Sequence, residues 1–464
     1  MNTRLIATFS YQAIYSGSFF IFAPFLVSLY GLSQYAAITF WLLLSTIFNF
    51  FDFGISQSLT RYVSSEKENY HIEHYFNLSN LALFLLLAFC AIITLILSQK
   101  YIFLDDEFNN KVLPSLVIAL LIKVMTIMPK AYYTGKGQVL FFCYFLSVTS
   151  ALRLVLPLLF NESIQTFFNL QILIGLFELA ILYLKLIFDF KHNFFRINFK
   201  YIGEYKETIL FAINLGWLSI FWIVFSATDR FIASIFLEPS EFAIYGTLAQ
   251  CAIALTLVLN PIRQAFINKL VNSNSSPSIF IDVFRLISFI SLFIAIFLMV
   301  NANNIGIYFF KETLNTRFVT ILYLLVIYYF FSNINYLLYF AEYSKGEMFY
   351  QTRFNLFLSP IYFIGILLVS NYSFYYAPQF MVLFMIIYFH FFLEHGIKKT
   401  LGFSIIKKFY SFVFPCALVI GGFALLSNYV TVGLHLFVNL AVYTLFILIM
   451  SVILLKLKII KNDF

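Results

Sequence analysis

Several charged side chains interrupt stretches of the sequence that are otherwise apolar enough to cross a membrane. Lys123, Arg153, Glu178, Asp229 and Arg230 are the clearest cases. A charged group at the centre of a bilayer costs about 2.5–3.5 kcal/mol on insertion scales, so it needs an ionic partner or a water-filled cavity. The chemistry open to such residues is the binding of a charged, hydrophilic solute, because bases bind anionic groups and buried acids bind protons or cations.

Polar residues also recur at helical spacing in four of these stretches, so each set is predicted to share one helix face. The sets are Ser45, Asn49, Asp52 and Ser56; Gln171, Glu178 and Lys185; Ser219, Trp222, Ser226 and Asp229; and Ser332, Asn335, Tyr339 and Glu342. One interpretation is that they join helices through hydrogen bonds. The other is a wet cavity between two halves of the protein, which the recurrence of such sets in both halves favours.

Ion pairing is the main alternative for the charged positions. Lys123 and Glu178 could form a buried structural pair. Asp229 and Arg230 are adjacent in the sequence, so their side chains point about 100° apart on a helix and a simple mutual pair is not expected. His390 and Glu394 are four residues apart, and we interpret them as a structural pair on one helix face.

The overall composition indicates why these residues must lie in a membrane protein. Of 464 residues, 62% are hydrophobic and 11% are charged, whereas a soluble domain carries roughly 25% charged residues. A soluble fold of this length cannot bury so much apolar surface. The net charge of +8 is spread over short clusters between apolar runs, which argues against nucleic-acid binding. The cysteines lie inside apolar runs without ligand-like spacing, so neither disulfides nor metal ligands are predicted.

A helix needs about 20 apolar residues to cross the hydrocarbon core, and this rule predicts fourteen spans. They cover approximately 5–29, 35–60, 76–98, 112–133, 138–159, 165–188, 210–236, 242–262, 283–302, 317–341, 354–370, 378–395, 409–428 and 433–455. The predicted fold class is therefore an all-α polytopic membrane protein with about 14 transmembrane helices. Basic residues accumulate in the cytoplasmic loops of membrane proteins. When the N-terminus is placed inside, the outer loops contain only four basic residues, Lys100, Lys111, Lys311 and Arg317. Both termini are therefore predicted to be cytoplasmic.

The spans are predicted to form two six-helix halves and a C-terminal helix pair. The boundaries are 1–188 for the N-terminal half, 189–209 for a basic cytoplasmic linker, 210–395 for the C-terminal half, and 396–464 for the additional pair and tail. Residues 32–36 (LSQYA) and 239–243 (PSEFA) support a repeat, because both place an aromatic and a small residue at the start of the next helix. An offset of six helices predicts a parallel repeat.

Two segments resemble polysaccharide flippases of the Wzx type, which belong to the multidrug/oligosaccharidyl-lipid/polysaccharide exporter superfamily. Residues 51–63 (FDFGISQSLTRYV) resemble an acidic–apolar–Gly segment that is followed by Thr-Arg at the cytoplasmic edge. Residues 228–232 (TDRFI), followed by Tyr245, resemble a segment in which Asp precedes a base. Length and hydropathy extend the resemblance to the whole chain, although many relatives have twelve spans.

The resemblance implies a flippase, not an enzyme. Its substrate would be a polyprenyl-diphosphate-linked oligosaccharide, such as an O-antigen repeat unit, carried across the bacterial inner membrane by alternating access. Membrane lipids and the polysaccharide polymerase machinery are the implied partners, and no cofactor is expected. The residues implied for substrate binding are Lys123, Arg153, Arg230, Arg61, Asn49 and Trp222. The residues implied for ion coupling are Glu178, Asp229 and Asp52.

Two other functions are open to this sequence. A multidrug–cation antiporter of the same superfamily would favour an acidic, aromatic cavity, whereas bases here are at least as numerous as acids at membrane depth. A polysaccharide polymerase or ligase would need catalytic groups on a substantial outer loop, and the predicted outer loops are short. No phosphate-binding glycine loop or metal-binding motif occurs in the sequence.

Overall fold

The computed structural model describes residues 3–50, 52, 54–65, 69–98, 106–160, 163–190, 203, 205–272, 277–311, 314–345, 349–402 and 404–430. These residues form helices joined by short turns, and no strand occurs among them. The helices are α1 (Thr3–Phe50), α2 (Ile55–Ser65), α3 (Asn69–Ser98), α4 (Asp106–Met125), α5 (Ile127–Gly135), α6 (Val139–Leu159), α7 (Ile164–Phe190), α8 (Lys206–Phe236), α9 (Pro239–Asn272), α10 (Pro277–Val300), α11 (Ala302–Phe310), α12 (Thr316–Lys345), α13 (Phe349–Tyr372), α14 (Ala377–Ile387), α15 (Glu394–Leu401) and α16 (Ile405–Val430).

The prediction of an all-α polytopic protein is confirmed. Each predicted span from the first to the thirteenth coincides with described helix, and the fourteenth, 433–455, lies outside the described residues. Within the described part of the chain, 8 helices are long and apolar enough to cross a membrane by length and composition. The outer surfaces fit a lipid environment, because large apolar side chains such as Phe188 and Tyr372 expose 80% and 85% of their area.

Contacts divide the chain into two compact units, which we name the N-terminal unit (Ile6–Ala243) and the C-terminal unit (Ile244–Phe464, with Met1–Leu5). In the N-terminal unit, α4 packs on α7, α2 on both α5 and α8, and α6 on α7. In the C-terminal unit, α10 packs on α12 and α16, and α14 packs on α12 and α13. Helix α8 thus groups with the first unit, whereas the sequence-based division begins the C-terminal half at 210; those domain boundaries stay predictions.

The predicted second span, 35–60, is not one continuous helix. Helix α1 ends at Phe50 and α2 begins at Ile55, and between them Gly54 has a φ of 75°. Asp52 accepts hydrogen bonds from the backbone N–H groups of Gly54 (3.3 Å) and Ser56 (3.1 Å), so it caps the start of α2. The prediction that Ser56 shares a face with Ser45 assumed an unbroken helix and is therefore wrong.

The predicted fourth span also contains a break, at Thr126 between α4 and α5. Pro129 lacks a backbone N–H, and its ring displaces the carbonyl four residues earlier, which interrupts the helix just before it. The Thr126 hydroxyl donates a hydrogen bond to the Lys123 carbonyl oxygen (2.7 Å), so this carbonyl group beside the break has a partner. The break separates Lys123 on α4 from Lys130 on α5.

The two segments of the predicted repeat have the same burial pattern. Tyr35 and Ala36 expose 0% and 2% of their area, and Phe242 and Ala243 expose 4% and 0%. Tyr35 follows a kink in α1 at Gly31, where the φ of 70° and ψ of 165° are accessible almost only to glycine. Both segments therefore begin a helical stretch with a buried aromatic side chain.

Replacing Gly54 with Ala is expected to destabilise the protein strongly. A Cβ atom there would lie 2.4 Å from the Leu215 Cβ and 3.0 Å from the Ala212 carbonyl oxygen, both on α8. Gly402→Ala is the matched control, because Gly402 also has positive φ (78°) but nothing within 4 Å of an added Cβ. Thermal unfolding in detergent should show a loss of roughly 1–2 kcal/mol for the control and a clearly larger loss for Gly54→Ala. Equal losses would contradict the close α2–α8 contact.

Candidate functional site

A buried carboxylate organises the centre of the N-terminal unit. Glu178 on α7 exposes 3% of its area, and each of its two oxygens binds a different base. The Arg153 Nη2 on α6 lies 3.0 Å from Glu178 Oε2, and the Lys130 Nζ on α5 lies 2.9 Å from Glu178 Oε1. Glu178 therefore joins α5, α6 and α7 through charge-assisted hydrogen bonds.

Gln171, two helical turns before Glu178 on α7, completes the binding of Arg153. The Arg153 Nη1 donates to Gln171 Oε1 at 3.2 Å, and the Gln171 Nε2 donates to the Arg153 carbonyl oxygen at 2.7 Å. This reciprocal arrangement uses both the side chain and the backbone of Arg153. Arg153 is consequently fixed in position, and its side chain keeps only 11% of its exposure.

Gly175 lies between Gln171 and Glu178 and allows this approach. A Cβ atom on Gly175 would lie 2.8 Å from the Ile122 Cγ2 on α4 and 3.5 Å from the Arg153 Nη2. The absence of a side chain thus lets α4 pack directly on α7 beside the ion pairs. Sequence reasoning did not identify Gly175 as part of this site, because a lone glycine in an apolar helix has many explanations.

Lys123 is the third base of this group, and its surroundings differ from those of Arg153. Its Nζ lies 5.0 Å from the centre of the Trp41 ring, a cation–π contact. It interacts electrostatically with Arg153, Lys130 and Glu178. Among the described residues it makes no ion pair with a carboxylate, and it is only partly buried. The predicted alternative of a Lys123–Glu178 pair is therefore wrong, since Glu178 is paired with the other two bases.

We name Lys123, Lys130, Arg153 and Glu178 the basic cluster. Three bases around one acid leave a formal excess of two positive charges in helices that are otherwise apolar. The Lys130 side chain retains 28% of its exposure, and Lys123 is partly exposed as well. The cluster can therefore bind a doubly charged anion through its two lysines, while Arg153 stays bound to Glu178 and Gln171.

Lys130 belongs to this cluster, although it was not predicted as a site residue and lies near the end of the predicted fourth span, 112–133. A usable signal was present in the sequence, because Lys130 directly follows Pro129, and a helix that restarts at a proline can extend through the next residues. The seven-residue spacing from Lys123 also predicts a related helix face. The structure places the two lysines on α4 and α5, with the break at Thr126 between them.

The remaining bases predicted to bind substrate lie elsewhere. Arg230 on α8 exposes 1% of its area, and its Nη2 donates to the Ser226 carbonyl oxygen at 2.6 Å. Its Nε and Nη1 have no hydrogen-bond partner in the described part of the chain. Arg61 on α2 is exposed, and its guanidinium carbon lies 4.5 Å from the centre of the Phe211 ring. Neither base is part of the basic cluster.

The other predicted site residues are not part of the basic cluster. Trp222 and Asp229 share α8 with Arg230, and Asp229 is fully buried. Asn49 lies in the last turn of α1, but its side chain is outside the described residues. Asp52 caps α2 as described above. The proposed roles of these residues in binding and coupling stay predictions.

His390 and Glu394 do not form the predicted pair with each other. Each instead has a hydrogen-bond partner on α16. His390 lies in a π-helical segment (Tyr388–Leu393), and its Nε2 lies 2.9 Å from the Tyr410 hydroxyl oxygen on α16. The Glu394 Oε2 accepts hydrogen bonds from the backbone N–H groups of Ile405 (2.9 Å) and Ile406 (3.0 Å). Both residues therefore hold the start of α16, which agrees with a structural role.

Solved structures show that this fold occurs in known transporters. No protein-family model and no curated protein sequence matches this chain. The lipid II flippase MurJ, in an inward closed conformation, aligns with a TM-score of 0.69 and 13% identity over 98% of this chain and 99% of that one. A multidrug resistance MATE family transporter of the MOP superfamily aligns in its inward-facing conformation, with a TM-score of 0.63 and 12% identity over 86% of this chain and 99% of that one.

The outward-facing conformation of a MATE family transporter aligns with a TM-score of 0.61 and 12% identity, over 90% of this chain and 96% of that chain. At these identities the alignments show the fold alone. The solved structures that share it are transporters and flippases, not enzymes. The chain thus has the fold of a polytopic transporter over nearly its whole length.

Glu178→Gln is expected to destabilise the protein by about 3–5 kcal/mol, because it leaves the buried Arg153 and the half-buried Lys130 without their carboxylate. Adding Arg153→Met should recover part of that loss, since it removes one of the unpaired charges. Asp282→Asn is the control, because the Asp282–Arg285 pair is 4.0 Å long with both side chains 34% exposed, and its loss should cost less than about 1 kcal/mol. Thermal unfolding in detergent tests this, and an unchanged stability for Glu178→Gln would disprove the structural role.

Proposed function

We propose that this chain is a flippase that moves a polyprenyl-diphosphate-linked oligosaccharide from the inner to the outer leaflet of the bacterial inner membrane. The oligosaccharide would be a repeat unit of O-antigen or a related surface polysaccharide. A sugar-diphosphate head cannot cross hydrocarbon unaided, because its polar groups would lose their hydrogen bonds to water. The protein would replace that water with polar and basic side chains while the lipid tail stays in the bilayer.

The excess of positive charge in the basic cluster is the observation that carries this proposal. A diphosphate needs about two positive charges for neutralisation, and Lys123 and Lys130 supply them from partly exposed positions. Lysine ammonium groups bind phosphate as compact, rotatable donors. Glu178 and Arg153 would act on the substrate only indirectly, by fixing Lys130 and by joining α5, α6 and α7.

The likeness to a lipid II flippase supports the same conclusion. That alignment covers 98% of this chain, and the aligned protein is a lipid II flippase. Transfer of this activity to the present chain is part of the proposal, because 13% identity extends only to the fold. The combination of this fold with a cationic cluster at membrane depth favours an anionic lipid-linked substrate.

The inside-negative membrane potential would assist the proposed direction of transport. Moving one negative charge outward across 100 mV releases about 2.3 kcal/mol. Among the acids predicted for ion coupling, Glu178 already binds two bases and Asp52 caps α2, so each has a structural task. Asp229, which is fully buried on α8 and adjacent to Arg230 in the sequence, is the residue that we propose for binding a proton or cation.

A multidrug–cation antiporter is the second candidate, because two of the aligned structures are of a multidrug resistance MATE family transporter. Such a transporter would need an accessible acid for its cationic substrate. The acid of the basic cluster is instead paired with two bases. Efflux of a cationic dye separates the two functions, since a flippase deletion should leave dye efflux unchanged and an antiporter deletion should reduce it.

Lys123→Gln should reduce substrate delivery by about tenfold or more, because a charge-assisted hydrogen bond contributes roughly 1.5–3 kcal/mol. Its stability should change little, since Lys123 has no carboxylate partner among the described residues. The measurement is made in a deletion strain of the source organism that carries each variant. Accumulation of lipid-linked repeat unit and the amount of surface polysaccharide are compared, with protein level checked in the membrane fraction.

Lys123→Arg, which keeps the charge, should retain most delivery, and Lys408→Gln is a control at an exposed lysine on α16. The proposal fails if the deletion strain continues to deliver the repeat unit. It also fails for this site if Lys123→Gln delivers as well as the unmodified protein. Arg230→Gln should likewise accumulate the lipid-linked unit if Arg230 binds the diphosphate in another conformation.

A further inference from the structure

An apolar cavity lies in the N-terminal unit between α2, α3 and α8. It has a volume of about 580 Å³, and its walls are almost entirely apolar, a size typical of pockets for small lipophilic ligands. The wall on α8 consists of Ile209, Ala212, Ile213, Gly216, Trp217 and Ile220. None of the residues of the basic cluster lines it.

Small residues on α8 and α3 leave the space that the cavity occupies. Gly54 approaches the backbone of α8 so closely that an added Cβ would lie 3.2 Å from the Gly216 nitrogen. Ala212 and Gly216 on α8 and Ala82 on α3 leave space above this contact that larger side chains would fill. The Tyr75 hydroxyl is hydrogen-bonded to Ser58 (2.9 Å), so the one large polar side chain of the wall already has a partner.

The dimensions of the cavity match a single hydrocarbon chain within one leaflet. The lining on α8 runs from Ile209 to Ile220, which is about 16 Å at 1.5 Å per residue. Half of a hydrocarbon core is about 15 Å thick. Ile213 and Trp217 each expose 52% of their area, so this side of the cavity is open at the surface of the unit. A polyprenyl chain long enough to span both leaflets would exceed this length.

A positive charge lies beside one end of the cavity. The Arg61 guanidinium packs on the ring of Phe211, which lies between the lining residues Ile209 and Ala212 of α8. Arg61 is exposed, and Lys206 at the start of α8 is exposed as well. This end is the one that the positive-inside rule predicts to be cytoplasmic, where anionic lipid headgroups attract basic side chains.

We propose that this cavity is a binding site for an anionic phospholipid, with one acyl chain between α2, α3 and α8 and the phosphate at Arg61. The length of the cavity selects an acyl chain of the bilayer over the longer chain of a polyprenyl lipid. The charge of Arg61 selects an anionic headgroup over a zwitterionic one. The site is independent of the proposed transport function, and it gives Arg61 a role apart from the binding of a transported substrate.

Native mass spectrometry of the full chain released from nanodiscs of phosphatidylglycerol and phosphatidylethanolamine tests the proposal. The unmodified protein should retain one phosphatidylglycerol molecule. Ala82→Trp fills the cavity from its exposed side and should abolish retention of that lipid. Arg61→Gln should keep the acyl-chain site but lower the preference for phosphatidylglycerol by about fivefold, the effect of one basic residue near a lipid surface.

Two variants serve as matched controls. Leu85→Trp adds the same side chain to α3 at an exposed position that does not line the cavity. Lys136→Gln removes an exposed base that packs on Tyr132 in the same manner as Arg61 packs on Phe211. Both should retain phosphatidylglycerol as the unmodified protein does. The proposal is overturned if Ala82→Trp retains the lipid, if Arg61→Gln keeps the full preference, or if the retained molecule is a polyprenyl lipid.

Discussion

The pairing of one carboxylate with two bases determines how the N-terminal unit can be assembled. In hydrocarbon no water can solvate a charge, so every ionised group that a helix carries into the membrane needs a partner inside the protein. Glu178 meets this need for Lys130 and Arg153 together, one on each oxygen. Because the three residues belong to three helices, the pairing fixes both the rotation and the depth of α5, α6 and α7. The apolar surfaces alone would specify neither as sharply.

This pairing also leaves the basic cluster with more bases than acids. A cluster of equal numbers of acids and bases would be neutral and would have little affinity for an ion. The third base, Lys123, is placed against the Trp41 ring instead of a carboxylate, and it keeps part of its exposure. The aromatic contact holds the ammonium group without neutralising it. The protein thus combines a structural ion pair and an available charge within a few helical turns.

The sequence predicts which helices and buried charged residues occur better than it predicts which of these residues contact each other. Hydropathy locates the helices because the membrane imposes a minimum apolar length, and heptad spacing correctly places Gln171 and Glu178 on one face of α7. The partner of Glu178 was predicted incorrectly, since Lys130, which follows the break at Thr126, binds the carboxylate instead of Lys123. The Gly54 break likewise separates Ser56 from its predicted face. Both errors arise where a proline or a glycine interrupts helical periodicity, which spacing rules assume to be continuous.

The low identity to structures of the same fold has a physical basis. Lipid-facing positions accept almost any apolar residue, because hydrocarbon does not distinguish leucine from phenylalanine by shape as a packed core does. Identity of 13% alongside a TM-score of 0.69 is therefore compatible with one architecture. The charged residues inside otherwise apolar helices, such as the basic cluster, carry the information on the solute. Function must accordingly be argued from those residues and not from the fold.

The hydrogen bonds from Glu394 to the start of α16 bear on how proteins of this architecture gain and lose helices over evolution. The carboxylate of Glu394 and the imidazole of His390 are satisfied by backbone and hydroxyl groups that belong to α16. A chain that ended before α16 would leave both groups without these partners at the edge of the membrane. Helix α16 is thus integrated with the twelfth predicted span, and its removal would require compensating substitutions at positions 390 and 394.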